Sequence, residues 1–170
     1  DGDHVFMNDG NTINQIAELM ARRDFTLRVT VITNSLRAAD ILLGNRRLDV
    51  VFLGGLIREF SYACTGPLTE LTLEHLRADT AIVSADATDS KSGFSIELMP
   101  EASVTRKMIA LADRTILVSD SSKMNAGAFM RVATWHSVDV FLTDSIADKD
   151  RREIERFDVY IPDLTINGRS

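Results

Sequence analysis

Seven short runs of apolar, often β-branched residues recur along the chain, and each is separated from the next by a longer, more polar segment. Most of these runs are apolar almost throughout rather than alternating with polar residues, which is typical of strands that are covered on both faces of a sheet. We therefore predict strands at His4–Asn8, Arg28–Thr33, Asp49–Leu53, Thr80–Ala85, Thr115–Ser119, Val138–Leu142 and Asp158–Ile161.

The segments between the runs carry apolar residues at helical spacing. An amphipathic stripe with the spacing i, i+3, i+4, i+7 is formed by Ile13, Ile16, Ala17 and Met20, and a similar stripe covers residues 36–43. Further helices are predicted at Gly66–Leu76, Pro100–Ala112 and Lys149–Phe157.

Regular alternation of strands and helices implies parallel strands that are joined by right-handed crossovers, with helices on both faces of the sheet. We predict an α/β fold, a three-layer sandwich around a mostly parallel central sheet of about six or seven strands. Two longer stretches, Ser84–Met99 and Ser121–Trp135, interrupt the alternation and are predicted to be loops. Long loops in compact domains are usually functional.

Composition and charge exclude several classes of function. A chain of 170 residues with 45% hydrophobic and 26% charged residues fits one globular domain, so residues 1–170 are predicted to form a single domain. No apolar run approaches the roughly 18 residues that a membrane-spanning helix needs, so no membrane contact is predicted. The net charge of −6 argues against binding of nucleic acid by this segment, because phosphate contacts require concentrated Lys and Arg.

Cysteine and histidine usage gives no indication of a metal site or of a disulfide framework. Cys64 is the only cysteine and fits a reducing compartment such as the cytoplasm; it is either a buried thiol or a nucleophile. The three histidines, His4, His75 and His136, are scattered rather than placed at metal-ligand spacing. We predict neither a metal nor a cofactor.

Polar or small residues follow four of the predicted strands. Ligands of open parallel sheets bind beyond the carboxyl ends of the strands, so these residues are the candidates for a site. They are Asn8-Asp9-Gly10-Asn11-Thr12, Thr33-Asn34-Ser35, Gly54-Gly55 with Arg58, and Asp120-Ser121-Ser122-Lys123. Each group has an ordinary alternative, namely a helix cap, a turn or a solvated loop. Because all four converge on one edge of one sheet, we favour a ligand site.

The first of these loops has the clearest mechanism. Gly10 permits a positive φ, and the helix that starts near Thr12 offers unpaired N–H groups and the positive end of its dipole to an anion. The Asn11 amide and the Thr12 hydroxyl add donors, although a helix cap would use the same residues. Since the chain contains neither G-x-G-x-x-G nor G-x-x-x-x-G-K-[ST], we predict a phosphorylated small molecule rather than a dinucleotide or a nucleoside triphosphate.

The helix predicted from Pro100 offers a second wall of the site. Glu101 lies in its first turn, where it faces the ligand or simply interacts with the helix dipole. Arg106 and Lys107 reach the ligand or are solvated, and Lys123 is placed to reach a phosphate oxygen.

Taken together and in order, these residues resemble the C-terminal sensor domain of the DeoR family of bacterial transcriptional repressors. The resemblance extends from Asp1 to about Pro162. Besides the groups above, it includes the opening D-G-D-x-[VI]-F, Leu56-Ile57, Gly66, Ala78-Asp79, Asp86–Gly93, Glu101-Ala102, Arg106-Lys107-Met108 and Thr143-Asp144.

The resemblance implies a fold shared with ribose-5-phosphate isomerase and glucosamine-6-phosphate deaminase, and a homo-oligomer that binds a phosphorylated sugar effector in the cytoplasm. It also implies a helix-turn-helix domain before this segment that binds operator DNA, which fits a chain that starts at Asp1, close to a strand, without an initiator Met. Carried over by position, Gly10, Asn11 and Thr12 would hold the phosphate, and Asp86, Glu101 and Lys123 would face the sugar. The residues around them would be Asn8, Asn34, Ser35, Gly54, Gly55 and Arg58.

The chain departs from the family pattern at several site positions. The family usually has Asp where this chain has Asn8, and Thr or Ser where it has Asn11. Glycines usually stand where this chain has Ser84, Ala85 and Ala87. These changes remove a negative charge from the site and make its walls bulkier.

A sugar-phosphate isomerase or deaminase on the same fold is the alternative function. Such an enzyme needs a general base, for which Asp86, Glu101 and Asp120 are the nearest carboxylates. In a rough register against the isomerases the catalytic glutamate falls on Thr105, which cannot serve as that base, so we predict no enzyme activity. In a third reading the polar loops are incidental and the domain only mediates oligomerisation.

Overall fold

A six-stranded parallel sheet forms the centre of the computed structural model, which describes residues 2–163. The strands in the described part of the chain are β1 (His4–Met7), β2 (Val29–Thr33), β3 (Leu48–Phe52), β4 (Leu56–Ile57), β5 (Cys64–Thr65), β6 (Ala78–Ser84), β7 (Ala87–Asp89), β8 (Gly93–Ile96), β9 (Ala112–Val118), β10 (Met130–Ala133) and β11 (Val140–Leu142). The strand order of the central sheet is β11-β9-β6-β1-β2-β3.

Helices cover both faces of this sheet. They are α1 (Asn11–Arg22), α2 (Leu36–Leu42), α3 (Pro67–Glu74), α4 (Met99–Ala110) and α5 (Asp148–Glu155). Among residues 2–163, no helix is both long and apolar enough to cross a membrane.

Successive side chains along each strand point to opposite faces of the sheet and pack into two separate cores. Val5 and Met7 of β1 pack with Ile13 and Ala17 of α1 on one face, whereas Phe6 points to the opposite face. That larger second core contains Leu73 of α3, Met108 of α4, Ile154 of α5 and the buried Trp135. The α/β class and the parallel central sheet flanked by helices are therefore confirmed.

The seventh predicted strand, Asp158–Ile161, is wrong as a strand of the sheet. Tyr160 makes one isolated parallel bridge to Val140, and its N–H and C=O bond to Asp139 and Phe141 at 2.9 and 3.0 Å. Asp158 adopts a left-handed φ of 62°, which turns the chain just before this bridge and prevents a longer ladder.

The two predicted loops are also wrong in part, because they contain short strands. β7, β8 and β10 form a separate antiparallel sheet in the order β10-β8-β7, with a register shift between Arg131 and Ala133. α4 packs against β8 and β10, so this small sheet covers the α4 side of the domain. A third pair, β4 and β5, forms an antiparallel hairpin over residues 56–65, called the hairpin below.

The topology changes direction between β1 and β6. The chain runs from β1 through β2 to β3 on one side with α1 and α2 on one face, and from β6 to β9 and β11 on the other side with α4 on the opposite face. The loops that leave β1 and β6 therefore diverge to opposite faces and leave a crevice between them. Open α/β sheets bind their ligands at such a switch point.

Candidate functional site

A small cavity of about 40 Å³ lies at this switch point. Loops after β1 and β6 form its floor, and β8 and the start of α4 close one side. Its lining residues are Asn8, Asp9, Gly10, Ser84, Ala85, Asp86, Ile96 and Glu101. Four predicted site residues, Asn8, Gly10, Asp86 and Glu101, are thus brought together.

The buried side chain of Asn8 ties three elements together. Its Nδ2 donates to the Ser84 carbonyl at 3.1 Å and to Thr105 Oγ1 at 3.2 Å, and its Oδ1 accepts from the Ser84 N–H at 2.9 Å. β1, β6 and α4 are therefore fixed to each other at the base of the cavity. Both the donor and the acceptor of this amide are used within the protein, so Asn8 positions the site rather than reaching outward.

Gly10 allows the backbone to turn sharply between β1 and α1. Its φ of 118° lies in the left-handed region that favours glycine, and a Cβ there would approach Ser84 Oγ to 2.8 Å. Ser84 Oγ in turn donates to the Asp9 carbonyl at 2.7 Å. No side chain among residues 2–163 caps the first turn of α1, so its N–H groups point outward with the positive end of the dipole.

Asp9 is a buried carboxyl that lines the cavity, with 9% of its surface exposed. Burial, followed by the negative charges of Glu101 and Asp86, raises the pKa of Asp9 to about 7. Its own backbone N–H and the Asn34 amide oppose this shift. Asn34 donates from Nδ2 to the Cys64 carbonyl at 3.0 Å, and its buried Oδ1 has no partner among residues 2–163.

Glu101 is buried in the first turn of α4 and faces the cavity from the opposite side. Its Oε1 accepts a hydrogen bond of 2.6 Å from Ser61 Oγ, which belongs to the hairpin. Asp86 is exposed and accepts from the Glu97 N–H at 2.8 Å. The three carboxyl groups of the cavity can accept hydrogen bonds. None of its lining residues is a lysine or arginine that could pair with a phosphate.

The loop after β1 divides its residues between this cavity and an open groove of about 490 Å³. Asn11 and Thr12 line the groove together with Asp120 and Thr143, between α1 and the ends of β9 and β11. Ser119 Oγ is buried there, and it has no partner in the described part of the chain. Because Ser84 and Val118 are paired in neighbouring strands, the cavity and the groove lie side by side along the edge of the sheet.

Lys123 ends a short 3-10 helix, Ser121–Lys123, which directly follows Asp120 of the groove. Its carbonyl accepts from Thr88 Oγ1 at 3.4 Å, and Asp144 accepts from the Ser121 N–H at 2.7 Å. These two bonds hold the 3-10 helix against β7 and against the loop after β11. Within residues 2–163, neither Lys123 nor Arg58 belongs to an ion pair.

The remaining predicted residues follow β2 and β3 and line neither the cavity nor the groove. Ser35 caps α2, since its Oγ accepts from the Ala38 N–H at 3.2 Å. The carbonyl of Gly54 accepts a hydrogen bond from Thr69 Oγ1 at 2.8 Å. A Cβ on Gly55 would come within 2.1 Å of Thr69 Oγ1. These two glycines bring the chain close to α3 just before the hairpin, and Arg58 lies within the hairpin, where its N–H donates to the Ala63 carbonyl at 2.9 Å.

The two basic residues considered on α4 have structural partners. Arg106 donates to the carbonyls of Val132 and Arg131 at 3.2 and 2.9 Å, which holds α4 to β10. Lys107 pairs with Glu74 at 2.7 Å and with Glu70 at 3.8 Å, which holds α4 to α3. Cys64 is buried, and burial raises the pKa of its thiol, so it is a poor nucleophile.

Sequence reasoning missed two residues of this site. Asp9 was part of the first loop but was not selected, because its burial depends on α4, which lies far away in the chain. Ser61 gave no signal at all, since only the folded hairpin brings it to Glu101.

Comparison with known proteins identifies the family. The model of the DeoR C-terminal sensor domain matches residues 1–145. The HTH-type transcriptional regulator GlpR of Haloferax volcanii is 32% identical over 164 residues, which are 96% of this chain and 63% of that protein. The HTH-type transcriptional repressor CsqR of Escherichia coli K12 is 29% identical over 165 residues, which are 95% of this chain and 62% of that protein.

Solved structures agree on the fold. Ribose 5 phosphate isomerase A from Neisseria gonorrhoeae superposes with a TM-score of 0.50 at 14% identity, over 74% of this chain and 47% of that one. At this identity the likeness concerns the fold alone. The chain spans less than two thirds of the length of the curated relatives described above. Since the family model matches most of its residues, the chain belongs to the DeoR C-terminal sensor domains of transcriptional regulators.

Proposed function

We propose that this domain binds a phosphorylated sugar or a related metabolite, and that binding controls operator DNA binding by a helix-turn-helix part like the one that the relatives' names specify. The observation that supports this most is that residues of the first loop face two adjoining sites. Asp9 faces an acidic cavity, whereas Asn11 and Thr12 face an adjoining groove at the uncapped start of α1. As a DNA-binding regulator, the whole protein would work in the cytoplasm.

The phosphate belongs in the groove rather than in the cavity. Three carboxyl groups repel an anion, but the N–H groups at the start of α1 and the positive end of its dipole attract one. Asn11 and Thr12 lie at this position, and Lys123 belongs to the 3-10 helix that follows Asp120 of the groove. Of the predicted phosphate residues, Gly10 contributes by its conformation.

The sugar end belongs at the cavity. Carboxylates accept hydrogen bonds from sugar hydroxyls, and charge-assisted bonds of this kind are stronger than neutral ones. Asp9, Asp86 and Glu101 would take this role, and Asn34 would orient Asp9. The cavity of about 40 Å³ accommodates single hydroxyl groups, whereas the groove has room for the body of the ligand.

One observation favours the alternative, a catalytic isomerase or deaminase. Asp9 has a pKa of about 7, which suits a general base at neutral pH. Against it, Thr105 is buried and its hydroxyl is engaged by Asn8, so the position that matches the catalytic glutamate of the isomerases carries no base. We expect no turnover of ribose 5-phosphate or glucosamine 6-phosphate by the purified protein. Product formation above the protein-free rate would support the enzyme.

A thermal-shift screen against a panel of sugar phosphates tests the proposed ligand class. A ligand at a hundredfold excess over its dissociation constant should stabilise the domain by about 2.7 kcal/mol. For a domain of this size the melting temperature should then rise by about 5 to 10 °C. The unphosphorylated sugars serve as controls and should give no shift. A panel in which no phosphorylated compound gives a shift would contradict the proposal.

Lys123→Ala tests the phosphate position. A hydrogen bond to a charged group contributes about 1.5 to 3 kcal/mol, so the dissociation constant of the ligand found in the screen should rise about tenfold or more. Lys91→Ala removes the same charge from the turn between β7 and β8 and should leave the affinity unchanged. In the full-length protein, operator binding without effector should be unaffected by either change. Equal affinity of the Lys123→Ala and Lys91→Ala variants would show that Lys123 does not contact the phosphate.

A further inference from the structure

The cavity at the switch point contains three carboxyl groups and no cationic side chain. Asp9 follows β1, Asp86 follows β6, and Glu101 lies in the first turn of α4. No lysine, arginine or histidine lines the cavity, and within residues 2–163 none of the three carboxyl groups forms an ion pair. Buried charges in proteins are normally paired with an opposite charge, so the cavity is suited to a cationic group of a ligand.

The side-chain donors that line the cavity are used within the protein. The Asn8 Nδ2 donates to the Ser84 carbonyl and to Thr105 Oγ1, and Ser84 Oγ donates to the Asp9 carbonyl. The other polar side chains of the lining are the three carboxyl groups, which only accept hydrogen bonds when they are ionised. A ligand group in this cavity therefore has to supply the donors.

Asn34 is a second, independent indication of a donor from outside the protein. Its side chain is buried, with 1% exposed, and its amide contributes a hydrogen bond that opposes the rise in the pKa of Asp9. The Asn34 Oδ1 has no partner in the part of the chain that the structure describes. A buried acceptor without a donor is unfavourable, so a ligand group with several N–H donors beside Asp9 would complete the site.

An ammonium group matches this environment better than a hydroxyl group does. A protonated primary amine has three N–H donors and no acceptor, whereas a hydroxyl group has one donor and two lone pairs. In this cavity the lone pairs of a hydroxyl would face ionised carboxyl groups without a side-chain donor. The cavity of about 40 Å³ has room for one group of either kind, so the chemistry of the group decides.

We propose that the effector is a sugar phosphate with a primary amine, whose ammonium group binds between Asp9 and Glu101. This rests on the proposed function, because it assigns the cavity end of the same ligand whose phosphate lies in the groove. The acidic cavity and the groove at the uncapped start of α1 lie side by side along the edge of the sheet. A ligand with a cation at one end and an anion at the other matches this pair of sites.

Isothermal titration calorimetry at pH 7 with matched pairs of sugar phosphates tests this proposal. The probes are the 6-phosphates of glucosamine, galactosamine and mannosamine, each paired with the 6-phosphate of glucose, galactose or mannose. The members of a pair differ only by an amine in place of one hydroxyl group. In the pair that fits the site the amino member should bind about tenfold or more tightly, because an ion pair replaces a contact of a neutral group.

Failure of this proposal is distinguishable from failure of the proposed function. Equal affinity within every pair, or a sugar phosphate without an amine that binds more tightly than all the amino sugar phosphates, would overturn the amine and leave the proposed function intact. A thermal-shift screen in which no sugar phosphate binds would contradict both.

Glu101→Gln tests the contact with the ammonium group. Gln keeps the shape of the side chain and an acceptor for Ser61 Oγ, but it removes the charge. The preference for the amino member of the pair should fall about tenfold, while the hydroxyl member should bind almost as before. Glu18→Gln is the matched control, since Glu18 is exposed on α1, and it should leave the preference unchanged. An unchanged preference in Glu101→Gln, or an equal loss of affinity for both members, would overturn the proposal.

The preference for the amine should also depend on pH. Burial, followed by the charges of Glu101 and Asp86, raises the pKa of Asp9 to about 7, so Asp9 is largely neutral at pH 5 and increasingly ionised at pH 6.5. The amine is mostly protonated at both values, and the titration of the phosphate is common to both members of a pair. The ratio of their dissociation constants should therefore grow several-fold from pH 5 to pH 6.5. A ratio that is the same at both values would contradict the contact of the ammonium group with Asp9.

Discussion

Asn8→Asp should lower the free energy of unfolding by about 3 kcal/mol at pH 8, although the new residue is the one that the family usually has at this position. The Asn8 Nδ2 donates to a buried carbonyl of Ser84 and to Thr105 Oγ1. A carboxylate would replace this donor by an acceptor that faces another acceptor. It would also stand next to Asp9, whose pKa is already raised by Glu101 and Asp86. Buried charges without a partner cost about 3 to 5 kcal/mol, part of which protonation relieves.

The pH dependence of this variant has a defined sign. Burial should raise the pKa of the new carboxyl group in the folded state above its unfolded value of about 3.9. Between these two values the folded protein holds a proton that the unfolded chain has lost, so stability falls as pH rises and returns as pH falls. Urea unfolding at pH 8 and pH 5 should show a smaller deficit at the lower pH.

Asn8→Leu is the matched control for the charge. It has a similar shape and removes the same hydrogen bonds, but its deficit should not depend on pH. A stability of Asn8→Asp equal to that of the wild type at pH 8 would contradict the role assigned to Asn8.

The central fold was predictable because strands that are buried on both faces of a parallel sheet consist of apolar residues, and such runs are visible in the sequence. Runs such as residues 28–33 and 115–119 consist mostly of apolar and β-branched residues, which is typical of strands inside a layered sheet. The strands of the small antiparallel sheet are not marked by such apolar runs. Its strand β7 consists of Ala87, Thr88 and Asp89, and a segment of this composition becomes a strand only because β8 and the chain after Lys123 pair with it.

The candidate site was predictable in its location but not in the role of each residue. Parallel topology places every strand end on one edge, so Asn8, Gly10, Asp86 and Glu101 were expected together. The sequence shows that residue 8 has an amide, but it does not show that both ends of this amide are occupied by Ser84 and Thr105. In the same way, the character of Asp9 depends on Glu101, which approaches it only through the packing of α4.

The residue that sequence reasoning passed over leads to the second large expected effect. Asp9→Asn should stabilise the domain at pH 8 by about 2 to 4 kcal/mol and weaken binding of the effector. Asp9 has a pKa of about 7 in the folded protein, against 3.8 for an unperturbed Asp. Each unit of this difference corresponds to about 1.4 kcal/mol, so ionised Asp9 opposes folding by up to about 4 kcal/mol above pH 7. The new amide has N–H groups that need partners, which reduces the gain.

The sign of the pH dependence distinguishes this cause from a general gain in packing. Between pH 3.8 and about 7 the folded wild-type protein retains the Asp9 proton that the unfolded chain has released, so its stability declines as pH rises through this window. Asp9→Asn lacks this proton, so its advantage should be near zero at pH 4 and complete by pH 8 in urea unfolding. Asp40→Asn, an exposed change on α2, should show neither effect.

Asp9→Asn should lower the affinity for the effector although it raises the stability of the domain. If Asp9 accepts a hydrogen bond from a sugar hydroxyl, as proposed, its replacement by a neutral amide should raise the dissociation constant of the effector about tenfold or more. A residue that destabilises the empty domain but strengthens binding is characteristic of functional sites, where activity opposes stability. Stabilisation at pH 8 with unchanged affinity would show that the pKa of Asp9 is a consequence of packing and that the effector does not contact it.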